Sequence, residues 1–193
     1  MEAERGYKMK AAFDIFFNKM NESWKREWNT YPRITFSEKK EKCGLFISDM
    51  DEEGYAEWQP KLQTEKVDFD KIEEILGFEI HTDIKKYVST YCFFRLNSSL
   101  ENDIHFQLKD ILPNCDMEKE ILDRFKKERF HYKKDGEYFL LGECCCIEGD
   151  DSYSLQVNNI TGEVIAVQPF DEEEIKIANS IEDLLLNMKG EWD

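Results

Sequence analysis

The stretch that decides the fold is residues 138–168, YFLLGECCCIEGDDSYSLQVNNITGEVIAVQ. Four apolar runs, Tyr138-Phe-Leu-Leu141, Cys144-Cys-Cys-Ile147, Tyr153-Ser-Leu-Gln-Val157 and Val164-Ile-Ala-Val167, are cut by turn residues at strand spacing. Asn158-Asn-Ile-Thr-Gly162 is a turn between two of them. Yet residues 135–193 hold fifteen Asp/Glu against two Lys/Arg, Lys176 and Lys189. Apolar residues at this spacing bury one face of a sheet, and carboxylates have to stay in water or meet a cation. The stretch therefore reads as folded, acidic β structure, not as an acidic tail.

Outward from it the chain alternates helices and strands. Met9, Ala12, Phe13, Phe16, Phe17, Met20, Trp24 and Trp28 recur at three- and four-residue steps, which predicts an amphipathic helix over about 7–29 docked on a core. Tyr31-Pro32 stops it. Gly44-Leu-Phe-Ile-Ser48 and Tyr55-Ala-Glu-Trp58 flank an acidic turn and predict a hairpin. Pro60 lacks a backbone donor and should end its second strand, leaving Gln59 free to bond a partner or a loop. Asp68 caps a helix to Leu76 with Ile72, Ile75 and Leu76 inward, closed by Gly77. Further helices are expected from about Thr82 to Cys92, over 117–128 behind Asp116, and behind the box Ser180-Ile-Glu-Asp183. Asp103-Ile-His-Phe-Gln-Leu108 alternates as a half-buried strand. The sum is α+β, a central and mostly antiparallel sheet with helices packed around it. With 193 residues and no internal repeat or linker, residues 1–193 read as one domain.

Charge and composition narrow the function. The formal charge is −16, and it is uneven: residues 1–42 carry ten basic and seven acidic residues, the remainder sixteen and thirty-five. Such a surface repels nucleic acid and attracts basic surfaces. Lys39-Lys40 and Lys126-Lys127 with Arg129 are too short and too hemmed by acids to bind a nucleic acid. No signal peptide opens the chain and no stretch approaches the ~20 apolar residues of a membrane span, so a cytoplasmic protein, at most peripheral to the membrane, is expected.

Reaction chemistry leaves little trace. The three histidines, His81, His105 and His131, fit no metalloenzyme spacing, and phosphate-loop, dinucleotide and nucleophile-elbow motifs are absent. His81-x-Asp83 reads as a helix cap ahead of Thr82. Asp49, Asp51 and Glu53 mimic a calcium loop, but its twelfth position is Pro60. Cys144, Cys145 and Cys146 lack zinc-site spacing and read, with Cys43, Cys92 and Cys115, as reduced thiols. No catalytic residue, metal or cofactor is expected. A hydrolase working through a carboxylate pair is the alternative, for which so many acids supply only chance pairings.

Several residues together resemble the Syd family within the SUKH superfamily. These are Trp24-x-x-x-Trp28 near a helix end, Pro32, Cys43, Trp58-Gln59-Pro60 closing the hairpin, and Ile80-His81-x-Asp-Ile84-x-x-Tyr87. The C-terminal Phe139-Leu-Leu-Gly142, the turn through Thr161-Gly162-Glu163-Val164 and the final Leu-rich helix look like the wider superfamily. The likeness covers about residues 20–190. A longer segment between Asn97 and Asp116 and the cysteine run depart from the Syd pattern. Resemblance to Syd implies binding of the SecY translocon subunit through an acidic concave surface; resemblance to SUKH implies immunity proteins that neutralise a toxin. Either way the partner is a basic protein. The candidate contact residues are the acids Asp49, Asp51, Glu52 and Glu53, then Asp150, Asp151, Asp171, Glu172 and Glu173, with Tyr55, Trp58, Gln59 and Tyr153 beside them. For Trp58, a place in the core stays open as the competing role. The three acidic loops are expected to converge on one edge.

Overall fold

The computed structural model describes residues 2–100, 104–113, 115–126, 138–145, 152–168 and 174–190. Ten strands and six helices are defined there: α1 (Glu2–Trp28), β1 (Arg33–Thr35), α2 (Glu38–Glu41), β2 (Tyr55–Glu57), β3 (Lys61–Leu62), α3 (Phe69–Leu76), α4 (Thr82–Thr90), β4 (Tyr91–Cys92), β5 (Leu96–Ser99), β6 (His105–Leu108), α5 (Met117–Lys126), β7 (Tyr138–Cys145), β8 (Ser152–Asn158), β9 (Val164–Val167), β10 (Glu174–Ala178) and α6 (Ile181–Asn187). The class is α+β.

The main sheet has six strands in the order β10-β9-β8-β7-β6-β5, every pair antiparallel. Alternation sends Phe106, Leu108, Cys144, Leu155, Val157 and Ala166 into the core, where the α1 stripe of Met9, Phe13, Phe16 and Met20 meets them together with Ile84 and Tyr87 of α4. Gly142 is forced by register: the β7–β8 ladder shifts between Leu140 and Gly142, and a β-carbon at 142 would lie 2.0 Å from the Gln107 carbonyl oxygen of β6.

Four of the predicted caps form. Asp68 accepts from Lys71 N–H (3.2 Å), His81 Nδ1 from Asp83 N–H (3.2 Å), Asp116 from Lys119 N–H (3.0 Å) and Ser180 from Asp183 N–H (3.0 Å). The Asp183 carboxylate reaches back to Asn179 N–H (3.0 Å), one residue ahead of the cap itself.

The hairpin differs from expectation. β2 pairs with β1, a strand hidden in the sequence behind the Tyr31-Pro32 break, and Phe46 and Trp58 form only an isolated bridge. Residues 44–48 still follow β2 through Ile47 N–H to Glu57 O and Gln59 N–H to Leu45 O, so the turn survives while its strand pairing goes to Arg33-Ile-Thr35. Pro60 lies outside any strand, between β2 and β3. Ile75 is exposed, because α3 is two turns long and buries only one row, centred on Ile72. The helix from Thr82 stops at Thr90; Tyr91 and Cys92 pair with Leu62 and Lys61 instead.

Candidate functional site

The site begins where α1 ends. Asn29 takes the left-handed conformation (φ 55°), and its N–H closes the last turn on Lys25 O. Trp24 and Trp28, one turn apart, stay on the face that carries Met20. Trp24 packs against the core, but Trp28 has run past it and is 67% exposed. The chain reverses through buried Pro32, whose carbonyl accepts from Trp58 N–H at 2.9 Å. That bond brings the fifty-eighth residue opposite the thirty-second. The Trp58 indole is 3% exposed and meets Phe94 edge-on, with centroids 5.4 Å apart.

Between these elements lies a cleft of about 490 Å³. Trp24, Trp28 and Trp58 form its aromatic wall, Arg95 just ahead of β5 and Asn97 within it line it as well, and Gly190 contributes backbone. Tyr55, 40% exposed, also lines it and leads into the acidic turn. The turn is tied to the cleft by Arg33. Its guanidinium contacts Asp51 (2.9 Å) and Glu53 (3.1 Å) and covers the Tyr55 ring at 5.3 Å. Asp51 also accepts from Tyr55 N–H (2.9 Å) and Glu53 N–H (3.0 Å). The Tyr55 amide, with Arg33 beside it, holds the Asp51 carboxyl below the usual carboxylate range. These oxygens brace the turn. Asp49, Glu52 and Glu53 are exposed around them, so one arginine faces a ring of acids.

The expected contact residues thus divide. Asp49, Asp51, Glu52, Glu53 and Tyr55 form the turn beside the cleft. Trp58 lines the cleft from within the core, and Gln59 is half-buried with its N–H committed to Leu45 O. Tyr153 is 4% exposed and belongs to the core. Asp150, Asp151, Asp171, Glu172 and Glu173 lie outside the described residues, as does the convergence of their loops on this edge. Sequence reasoning missed Arg33 and Arg95 altogether. It placed Trp28 on the docked face, although its position next to the Tyr31-Pro32 break was a signal that the core ends before it.

Burial pushes the Cys92 thiol up to about 11 and Cys144 up to about 12, which keeps both protonated and poor nucleophiles. Among the described residues no group of His, Cys, Asp and Glu is arranged to hold a metal ion. No helix there is long and apolar enough to cross a membrane.

The cleft brings together Trp24 and Trp28 of α1, Pro32 just ahead of β1 and Trp58 just after β2. The family model described as Syd protein (SUKH-2) matches residues 10–113, more than half of the chain and all of the cleft's lining except Gly190. The chain belongs to the Syd (SUKH-2) family. No curated protein matches it.

Proposed function

We propose that this chain is a non-catalytic protein-binding domain whose tryptophan cleft, beside the acidic turn, receives a basic protein partner. The observation that carries this reading is the meeting of Trp24, Trp28 and Trp58 at one opening next to Asp49, Asp51, Glu52 and Glu53. Exposed aromatic rings beside carboxylates suit a lysine- or arginine-bearing segment. The rings supply affinity through desolvated contact and cation–π attraction, and the acids supply steering. The formal charge of −16 acts in the same direction over the whole surface. Family membership supports two partners: a toxin domain neutralised by an immunity protein, or a cytoplasmic loop of SecY bound from a peripheral position at the cytoplasmic side of the membrane.

A carboxylate-pair hydrolase finds less support. The Glu182 carboxyl is held above its usual range by burial and then by Asp83, as a general acid would need. However, Asp83 is already bound to Lys86 at 3.0 Å, and neither acid lines the cleft.

The test is affinity capture with the full chain from its native cell, at about 50 mM and 500 mM salt. A basic protein retained at low salt, and lost both at high salt and on Trp28→Ala, is the expected result, and its identity separates toxin from translocon. Capture unaffected by salt and by Trp28→Ala would overturn the reading.

A further inference from the structure

Among the described residues β5 is an edge strand, paired with β6 on one side only. Alternation fixes which of its peptide groups face the open side. Leu100 N–H donates to Ile104 O at 3.0 Å, towards β6, while Ser99 O accepts from Lys189 N–H at 2.9 Å, away from it. Asn97, two residues before Ser99, therefore turns its own N–H and C=O to the open edge. Asn97 is exposed and lines the cleft. Its side chain takes no part in that edge, since it is bound to Gln107 Nε2 at 3.1 Å on the sheet's outer face. The residues after α6 meet the far end of β5 through Lys189 N–H to Ser99 O and Gly190 N–H to Ser98 Oγ at 3.1 Å. Gly190, at φ 79°, turns so close over α1 that a β-carbon there would lie 2.6 Å from Met20 N.

We propose that the cleft takes its partner as an extended segment adding to β5 at Asn97, a strand docked onto the open edge instead of a helix or a folded surface. This rests on the binding role proposed above and specifies its geometry. An exposed strand edge is a ready template for another chain, and a segment paired to it presents alternate side chains to opposite sides. One set meets the aromatic wall of Trp24 and Trp58 and is apolar. The other meets the acids around Arg33 and the open rings of Trp28 and Tyr55, and is Lys or Arg. The partner segment thus has alternating apolar and basic residues.

The test is selection of a random displayed library of 12-residue peptides on the full chain, with Asn97→Pro and Asn97→Ala in parallel. Proline removes the edge donor but is tolerated in edge strands, whereas alanine keeps it. Selected peptides with alternating basic and apolar residues should bind wild type and Asn97→Ala within about threefold, and lose at least tenfold on Asn97→Pro. N-methylation of the central peptide residue should cause the same loss on the wild-type chain, which keeps the test valid if Asn97→Pro folds poorly. No enriched peptide, or peptides indifferent to both Asn97→Pro and N-methylation, would overturn strand addition. Peptides lost on Asp49→Lys with Glu52→Lys but indifferent to those two changes would overturn it while leaving the acidic, tryptophan-lined binding site standing.

Discussion

Gly162 faces the imidazole of His81 so closely that a β-carbon on it would lie 2.4 Å from the ring carbon Cε1. The contact joins the β8–β9 turn to the start of α4. It is clamped on both sides by Asn159, whose Oδ1 accepts from His81 N–H (2.8 Å) and whose Nδ2 donates to Glu79 O (2.9 Å). Two sequence signatures eighty residues apart, Ile80-His81 and Thr161-Gly162, are therefore two halves of one joint.

Gly162→Ala should destabilise the fold by at least about 2 kcal/mol, from a left-handed φ of 77° as well as the ring clash. Urea unfolding followed by circular dichroism measures it. A change under about 0.5 kcal/mol would mean that the turn does not dock on His81.

Glu73 holds the same joint from α3. Its carboxylate meets Lys85 Nζ at 2.6 Å and accepts from Ile80 N–H at 2.6 Å. Burial opposes the charge, but these two partners prevail and keep the carboxyl below its usual range. A depressed folded pKa gives stability that is present above the unfolded value of about 4.3 and lost as the pH falls through the folded one. Glu73→Gln should thus cost about 1–2 kcal/mol at pH 7 and much less at pH 3. Equal costs at the two pH values in urea titrations would reject the assignment.

The buried Trp58 and the exposed Trp28 should behave differently. Trp58→Ala empties a buried site against Phe94 and should cost roughly 3–5 kcal/mol of stability. Trp28→Ala should leave stability within about 0.5 kcal/mol, yet weaken partner binding by about 2 kcal/mol, roughly thirtyfold. Thermal melts paired with calorimetric titration of the captured partner separate the two effects.

Asp49→Lys with Glu52→Lys reverses two exposed charges that brace nothing. Association should slow about tenfold at low salt with folding nearly unchanged, and the gap should narrow as screening shortens from about 8 Å at 0.15 M to about 3 Å at 1 M. Reversal of Asp150 and Asp151 is proposed to act alike. Stopped-flow association rates decide both, and an unchanged rate at low salt would remove that loop from the encounter.

Much of this was legible from residue order, and the failures share a cause. Helix caps at Asp68, His81, Asp116 and Ser180 are local, one side chain to an amide two or three residues on, so the residues spell them out. The four-residue strand β5, LNSS, has no apolar alternation of its own; it exists because Phe106 and Leu108 of β6 need a neighbour. β1 was hidden likewise, since three residues carry no period and its partner β2 lies twenty-two residues on. The cleft combines both cases. Its tryptophans are visible as residue types, but their meeting depends on the long-range bond from Trp58 N–H to Pro32 O. Arg33 gains its role only once β1 sets it across from Asp51.

The residues at and just after the end of α6 are fastened to α1 and β5. Lys19 Nζ of α1 donates to the carbonyls of Leu186 (2.6 Å) and Met188 (3.2 Å), and Gly190 N–H donates to Ser98 Oγ at 3.1 Å. During synthesis α1 emerges well before residues 186–190, so this closure over it forms late. A contact pattern so far apart in sequence slows folding and leaves the nascent chain exposed to aggregation. A chain cut short of Met188 lacks one of the two carbonyls that Lys19 reaches and the Gly190 backbone that lines the cleft.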